Sequence, residues 1–341
     1  MRERRLRTGV RLTELGFGAA QLGNLYRRTT DQDAHDAVDA AWDAGIRYFD
    51  TAPHYGLGLS ERRLGAALAG RPRDEYVLST KVGRVLVPTP DRAHLRDDDG
   101  FDVPARFRRE WDFTRDGVLR SLEASLDRLG TDRVDVVYLH DPDAHWEQAS
   151  TSGIDALVEL RDQGVVSAVG AGMNQAAMLA RLVRESDVDV VMCAGRFTLV
   201  DGTALTGLLP AALDRGVSVV AAAVYNSGLL AGPRPLPDVR YDYEQAPADL
   251  IAHVHRIADV AERFGCTVPE LAAQYTLRHA AVASVVLGMR TAAHVTTNAA
   301  RMAREVPDEL WEELDRLGLV PGLDGAPGGE QDSTQNGATH D

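Results

Sequence analysis

Lysine is nearly missing from this 341-residue sequence: of 37 basic residues only Lys81 is a lysine, and the remaining 36 are arginines. A general bias toward arginine explains the 36, but it explains the single retained amine less well. Arginine stays charged at every accessible pH, whereas a lysine pKa shifts readily, so Lys81 marks a position that needs an amine. Cysteine is also scarce. Cys193 and Cys266 are too few for a disulfide framework, and neither sits in a CxxC or Cys/His cluster. No structural metal is therefore expected, and a reducing compartment, the cytoplasm, fits best. No stretch approaches the roughly 18 uninterrupted apolar residues of a membrane span, so no membrane association is expected. The basic start, MRERRLRTG, leads into no apolar segment, which argues against a secretory signal. Positive charge is in deficit, with 37 basic against 51 acidic residues and a net charge of -14. That balance disfavours a nucleic-acid partner and favours a small-molecule substrate, acted on by a monomer or weak homo-oligomer.

What is present is alternation. Short apolar, β-branched runs recur at Glu14–Gly18, Ile46–Asp50, Val77–Lys81, Val134–Leu139, Val166–Gly170, Val188–Cys193, Val217–Ala221 and Ser284–Leu287. Longer amphipathic stretches lie between them, among them Thr30–Ala44, Ser60–Ala69, Thr114–Leu129, Gly153–Gln163, Asn174–Glu185 and Asp249–Phe264. Gly45, Gly130 and Gly164 follow helices as C-cap glycines, and Ser60 starts one as a cap. Eight βα units without a composition shift predict one α/β domain over residues 1–320, a (β/α)8 TIM barrel with an N-terminal β-hairpin. Residues 321–341, rich in Gly, Asp, Gln and Ser, read as a disordered tail. Leu86–Asp112 reads as a long polar loop. A doubly wound dinucleotide fold would need G-x-G-x-x-G after its first strand; the segments from Gly16 and Gly170 both lack the third glycine. A Tyr-x-x-x-Lys pair also fails, because Tyr76 and Lys81 are five apart.

Strand alternation supplies a geometric test. Residues 46, 48 and 50 share a face, as do 77, 79 and 81, and 134, 136, 138 and 140. Asp50, Lys81 and His140 thus each end an inward-facing series. If the second, third and fourth strands are neighbours, these side chains crowd the C-terminal mouth, where barrel active sites sit. Tyr55, five residues beyond Asp50, can bring a phenol over the same mouth. A phenol titrates near 10, too high for ready proton exchange at neutral pH, and a neighbouring ammonium lowers that value. Lys81 is expected to supply this charge, Asp50 to hold Lys81 cationic, and His140 to orient a substrate oxygen. Such a tuned acid and base complements hydride transfer by a nicotinamide.

GFGAAQLG, FDTAPHYGLGLSERRLGAAL, LSTKVGR, LEASLDRLGTDRVDVVYLHDPD and GVVSAVGAGMN together resemble the aldo-keto reductase family over roughly residues 8–318. The resemblance implies Tyr55 as proton donor or acceptor, tuned by Asp50 and Lys81, with His140 and His54 on the substrate. It implies NAD or NADP lying across the mouth beside Gly18, Ala19 and Asp50. Asn174 would hold the carboxamide, Ser227, Gly228 and Leu230 the pyrophosphate, and Gly288, Met289, Arg290, His294 and Asn298 the adenosine end. The chain departs from the family pattern in three places. Ala194 stands where many members have Gln, Ala222 where many have a stacking aromatic, and Gly288 where strict NADPH reductases carry Lys. The choice between NAD and NADP stays open. AGRFTLVD, VYNSGLLAG and DFTRDGVLRSLEASLDRLG are most similar to sugar 1-dehydrogenase members, which implies oxidation of an aldose's anomeric hydroxyl to a lactone. Aldehyde or ketone reduction, pyridoxal oxidation and a cofactor-binding regulatory barrel are the alternatives. On the sugar reading, Leu86–Asp112, with Phe107 and Trp111, is expected to cover the substrate.

Overall fold

Eight parallel strands close on themselves in the computed structural model, which describes residues 1–242 and 244–323. They are β1 Leu15–Gly18, β2 Tyr48–Asp50, β3 Val77–Val82, β4 Val136–His140, β5 Ala168–Met173, β6 Val190–Ala194, β7 Ser218–Ala222 and β8 Val282–Gly288. Each pairs with its sequence neighbour, and β8 pairs with β1. The expected barrel is therefore the fold, and β2, β3 and β4 are adjacent. Some strand starts fall later than the apolar pattern suggests. β4 begins at Val136 rather than Val134, and Asp135 just before it accepts the Leu78 amide on its carboxylate (2.7 Å).

Both strand faces are buried, as a parallel sheet requires. Outward residues such as Phe17, Phe49, Leu78, Val137, Val169 and Val191 pack against the surrounding helices. Cys193 belongs to this layer, and burial pushes its thiol up to about 12, so it is an inert apolar filler there. Inward residues Tyr48, Val136, Tyr138, Ala168, Val190, Met192 and Val220 form a second cluster with Leu6 and Leu12. Leu6 and Leu12 come from the expected N-terminal hairpin, whose strands Glu3–Arg5 and Arg11–Thr13 pair antiparallel. That hairpin plugs the barrel floor, leaving the C-terminal end as the open one.

The helices follow local signals. Asp31–Asp43 starts with a capping box between Thr30 and Asp33, and Arg115–Leu129 starts on Thr114 and stops at Gly130 in left-handed backbone. Ser60 is not a cap: the helix Leu59–Leu68 begins after Gly58, whose φ of 79° suits glycine. The buried Ser60 hydroxyl instead donates to Ala19 O (2.7 Å) and meets Thr51 Oγ1 (2.9 Å), tying the ends of β1 and β2 together. Two further expectations need correction. The supposed loop contains an antiparallel hairpin, Arg84–Pro88 against Phe107–Trp111. The barrel unit also runs past residue 320, since Pro321 O accepts a hydrogen bond from Tyr275 Oη and Leu323 packs on the core. Residues 324–341 of the expected tail lie outside the described residues. Among the described residues no helix is long and apolar enough to cross a membrane.

Candidate active site

The last inward residue of each strand stands at the mouth, and register fixes the set. From β1 to β8 it is Gly18, Asp50, Lys81, His140, Gly172, Ala194, Ala222 and Gly288, and all eight line one cavity of about 500 Å³. A larger depression of about 730 Å³ lies elsewhere, between Arg4, Glu14, Arg278 and Arg304. It has no comparable constellation, because Arg4 is spent on Glu14 and on the carbonyls of Val282 and Leu277.

Three neighbouring strands carry polar ends. Lys81 Nζ donates to Asp50 Oδ2 at 2.6 Å and to Thr51 O at 3.0 Å, with both side chains almost wholly buried. Ser79, the next inward residue below Lys81, donates to Asp50 Oδ1 at 2.7 Å and so fixes the carboxylate. Below it, Tyr48 and Tyr138 join hydroxyls at 3.1 Å, so the inward series is more polar than the sequence pattern suggested. Tyr55 returns over this floor: Lys81 Nζ lies 5.0 Å from its ring centroid, and the His140 ring meets it edge-on at 5.7 Å. The four expected catalytic side chains converge.

Charge and burial set the protonation states. Burial opposes the Lys81 charge, but Asp50 and, behind it, the Tyr55 phenol overcome that, and its pKa ends above the ordinary lysine value. Lys81 is a fixed ammonium. Burial raises the Tyr55 pKa above 10, while Lys81 pulls it down and Asp50 and Asp141 push it further up. The net direction is upward, opposite to the lowered value expected from the ammonium alone. Desolvation outweighs the charge, and the resting phenol keeps its proton. Burial, followed by the charges of Arg84 and Lys81, holds His140 well below the usual imidazole value. The same influences bring His54 down to about 2. Both rings are neutral at physiological pH, and His140 Nδ1 has no hydrogen-bond partner among the described residues.

The rest of the mouth is small. Gly18, Ala19, Gly172, Ala194, Ala222, Ala223 and Gly288 leave a trough with little beyond Cβ, and Asn174 stands on its edge. A Cβ at Gly288 would collide with the Gln21 side chain, whose Oε1 is buried without a partner, as is Asn226 Oδ1. A floor of small residues with an edge amide and one unpaired acceptor, on Gln21, fits a planar ring bearing a carboxamide. Gly18, Ala19, Asp50, Asn174 and Gly288, all expected at the cofactor, line this one cavity. The other expected cofactor residues lie outside this cavity. Leu230 and Met289 have side chains in the core, and the Gly228 and Leu230 amides both donate to Tyr225 O (3.0 and 3.1 Å). Ser227 lies exposed on that turn. Arg290 is no solvated charge. It is buried, donating to Thr29 Oγ1 (2.6 Å), Leu25 O (2.6 Å) and Arg27 O (2.8 Å), so it clamps the loop after β1. Asn298 accepts from Tyr225 Oη at 2.9 Å. His294 is exposed, with Arg27, Arg290 and Arg301 near enough to lower its pKa after burial has done so.

The cover differs from expectation too. Trp111 is 41% exposed and packs on Arg84 and Phe113, and neither it nor Phe107 lines the cavity. Phe101 does, edge-on to His54 at 5.2 Å and 6.1 Å from Tyr55. Asp99, Asp141, Gln21, Leu25 and Tyr26 complete the rim and were not anticipated. Of these Asp141 lay in a quoted motif, YLHDPD, and Gln21 in another, GFGAAQLG; Phe101 and Asp99 come from a segment with no periodic signal. Asp97, Asp98 and Asp99 are close enough together to hold a cation, but Arg109 already bridges Asp97 (2.6 Å) and Asp99 (2.8 Å).

A closed parallel barrel with a buried Asp–Lys pair, a phenol and a neutral imidazole at its C-terminal mouth defines a class of barrel oxidoreductase. The aldo/keto reductase family model matches residues 14–318, and the chain belongs to that family. It is 48% identical to a D-threo-aldose 1-dehydrogenase from a Pseudomonas species, over 92% of this chain and 96% of that one. It is 37% identical to a pyridoxal 4-dehydrogenase from Microbacterium luteolum, over 92% and 96%. An aldo-keto reductase from Bacillus halodurans, solved in its holo form, superposes with a TM-score of 0.73 at 26% identity, over 94% of this chain and 97% of that chain. Members of the family use nicotinamide cofactors, and a small-molecule substrate follows.

Proposed function

We propose that this protein oxidises the C1 hydroxyl of an aldose such as L-fucose or D-arabinose to the lactone, with NAD or NADP as acceptor. The observation that carries the reading is the convergence of Tyr55, Lys81, Asp50 and His140 over one trough, in a chain 48% identical to an aldose 1-dehydrogenase. The bound nicotinamide supplies the chemistry of accepting a hydride. Gly18, Ala19, Asn174 and Gly288 would hold it beside the substrate. His140, neutral and lining the same cavity, orients the C1 oxygen by a hydrogen bond. Tyr55, as phenolate, takes the hydroxyl proton as the C1–O bond becomes a carbonyl. Because burial holds that phenol above its ordinary pKa, the fraction ready to accept a proton grows with pH, and Lys81 limits the cost of the anion. Asp50 acts through Lys81, keeping the ammonium charged and fixed.

A protonated resting phenol also suits the reverse reaction, and that observation favours reduction of an aldehyde as the second reading. A screen of cofactor reduction with NAD and NADP, each against L-fucose, D-arabinose, L-galactose and pyridoxal, separates them. Turnover on an aldose that rises toward alkaline pH is expected. No turnover on any sugar, together with brisk NADPH-dependent aldehyde reduction, overturns the dehydrogenase reading.

A further inference from the structure

Two carboxylates face the cavity without taking part in the chemistry at C1. Asp141 directly follows His140, and its backbone is left-handed at φ 42°, with its amide donating to Gly172 O at 2.9 Å. Few residues other than Gly, Asn and Asp accept that conformation, and it turns the chain sharply at the mouth. Asp99 comes from the loop joining the two strands of the Arg84–Trp111 hairpin. Both line the cavity alongside His54, Tyr55, Phe101 and His140. Their counter-charges stand behind them. Arg84 pairs with Asp141 and bonds His54 Nδ1 at 3.2 Å; Arg109 spans Asp97 and Asp99 and donates to His54 O at 3.0 Å. Neither arginine lines the cavity.

The wall therefore presents acceptors to the substrate and keeps Arg84 and Arg109 behind them, while Lys81, the cation that does line the cavity, is paired with Asp50. Counting Asp50, Asp97, Asp99 and Asp141 against Lys81, Arg84 and Arg109, the cavity and the groups behind it carry one excess negative charge. A neutral molecule rich in hydroxyl donors is matched to such a wall, whereas an anion meets like charge. We infer that Asp141 and Asp99 are specificity residues for the non-reacting hydroxyls of a neutral polyol substrate, and that they exclude phosphorylated and carboxylated sugars. Arg84 and Arg109 act as positioning residues, each holding one carboxylate toward the cavity. The inference deepens the aldose reading and rests on it.

Steady-state kinetics of the wild type, Asp99→Asn and Asp141→Asn decide the matter, with D-arabinose, D-arabinose 5-phosphate and, in the reductive direction, benzaldehyde. Asparagine tolerates the left-handed backbone at 141, and Asp99 is about half exposed, so the second variant stands if the first fails to fold. Loss of a hydrogen bond to a charged group should raise KM for D-arabinose about tenfold, with a smaller change in kcat. The kcat/KM ratio of D-arabinose to benzaldehyde should fall in both variants. The wild type should favour the neutral sugar over its phosphate, and that preference should narrow once either carboxylate is neutralised. Equal treatment of sugar and phosphate by all three proteins, with an unchanged KM, overturns the inference while the aldose reading survives. A wild type that reduces benzaldehyde but oxidises no aldose removes both, and is recognised by that difference.

Discussion

The two sides of the barrel mouth are made from the same strand pattern and do opposite things. On β2, β3 and β4 the last inward residues are Asp50, Lys81 and His140; on β5, β6, β7, β8 and β1 they are Gly172, Ala194, Ala222, Gly288 and Gly18. One side concentrates charge and a phenol, and the other gives up side chains altogether. The first is held by hydrogen bonds at Asp50 and Lys81 and by ring contacts at Tyr55 and His140. The second owes its shape to missing atoms. A barrel permits this because each strand contributes its final residue independently of its neighbours, so chemistry and space can be assigned strand by strand.

The comparison predicts that substitutions on the charged side lose rate, whereas those on the small side lose cofactor affinity. The largest effect belongs to Tyr55→Phe. Removing the acid and base should lower kcat by about a hundredfold or more, while quenching of protein fluorescence by the cofactor shows binding nearly intact. Retained turnover would take Tyr55 out of the chemistry. Lys81→Met should cost rate as well, and in addition about 3 kcal/mol of stability in urea unfolding, because Asp50 is left buried and unpaired. Pairing it with Asp50→Asn should restore most of the stability and none of the rate. If the double variant regains activity, the ammonium is not tuning the phenol.

Protonation tests the charged side in a second way. The folded-state pKa values of His54 and His140 both lie below 6.5, with His54 at about 2, whereas the unfolded chain takes up protons near 6.5. The unfolded state therefore binds more protons as pH falls through that range, so this contribution is complete above pH 6.5 and is lost progressively below it. Once the pH is well below 6.5, the slope should approach roughly 1.4 kcal/mol per pH unit for each histidine. His54→Asn should flatten the dependence of the urea midpoint on pH between 6.5 and 4.5, and an unchanged slope would mean that the ring is solvated.

How much of this could be read in advance followed the same divide. The barrel and the Asp50, Lys81 and His140 convergence are consequences of period-two alternation, which a sequence displays directly. Tyr55 was legible because its loop is short and leaves β2. The phenol's net shift was not, since it depends on how fully Phe101, His54 and His140 enclose the ring, and enclosure is a tertiary property. The partners of Arg290 were hidden for the same reason: the resemblance implied a place at the adenosine end, and only the tertiary structure shows three oxygens of residues 25–29 bonded to its guanidinium. The hairpin Arg84–Trp111 was hidden because its residues between the strands carry no alternation, and with it went Phe101 and Asp99.

The small side gives the finest test. Ala222 and Ala194 are paired neighbours on β7 and β6, both lining the trough where larger residues are frequent in the family. If their smallness makes room for the dinucleotide, Ala222→Leu should crowd it. Overpacking a fitted surface costs about 1–3 kcal/mol, which corresponds to a rise in cofactor KM of roughly fivefold at the lower end. The rate at saturating cofactor should change far less than in Tyr55→Phe, because Asp50, Lys81 and His140 sit on other strands and keep their contacts. A fall in kcat of similar size to that in Tyr55→Phe would mean that the two sides are coupled, and that the trough positions the substrate as well as the cofactor. An unchanged KM would place the nicotinamide away from β7, against Gly18 and Asn174 alone.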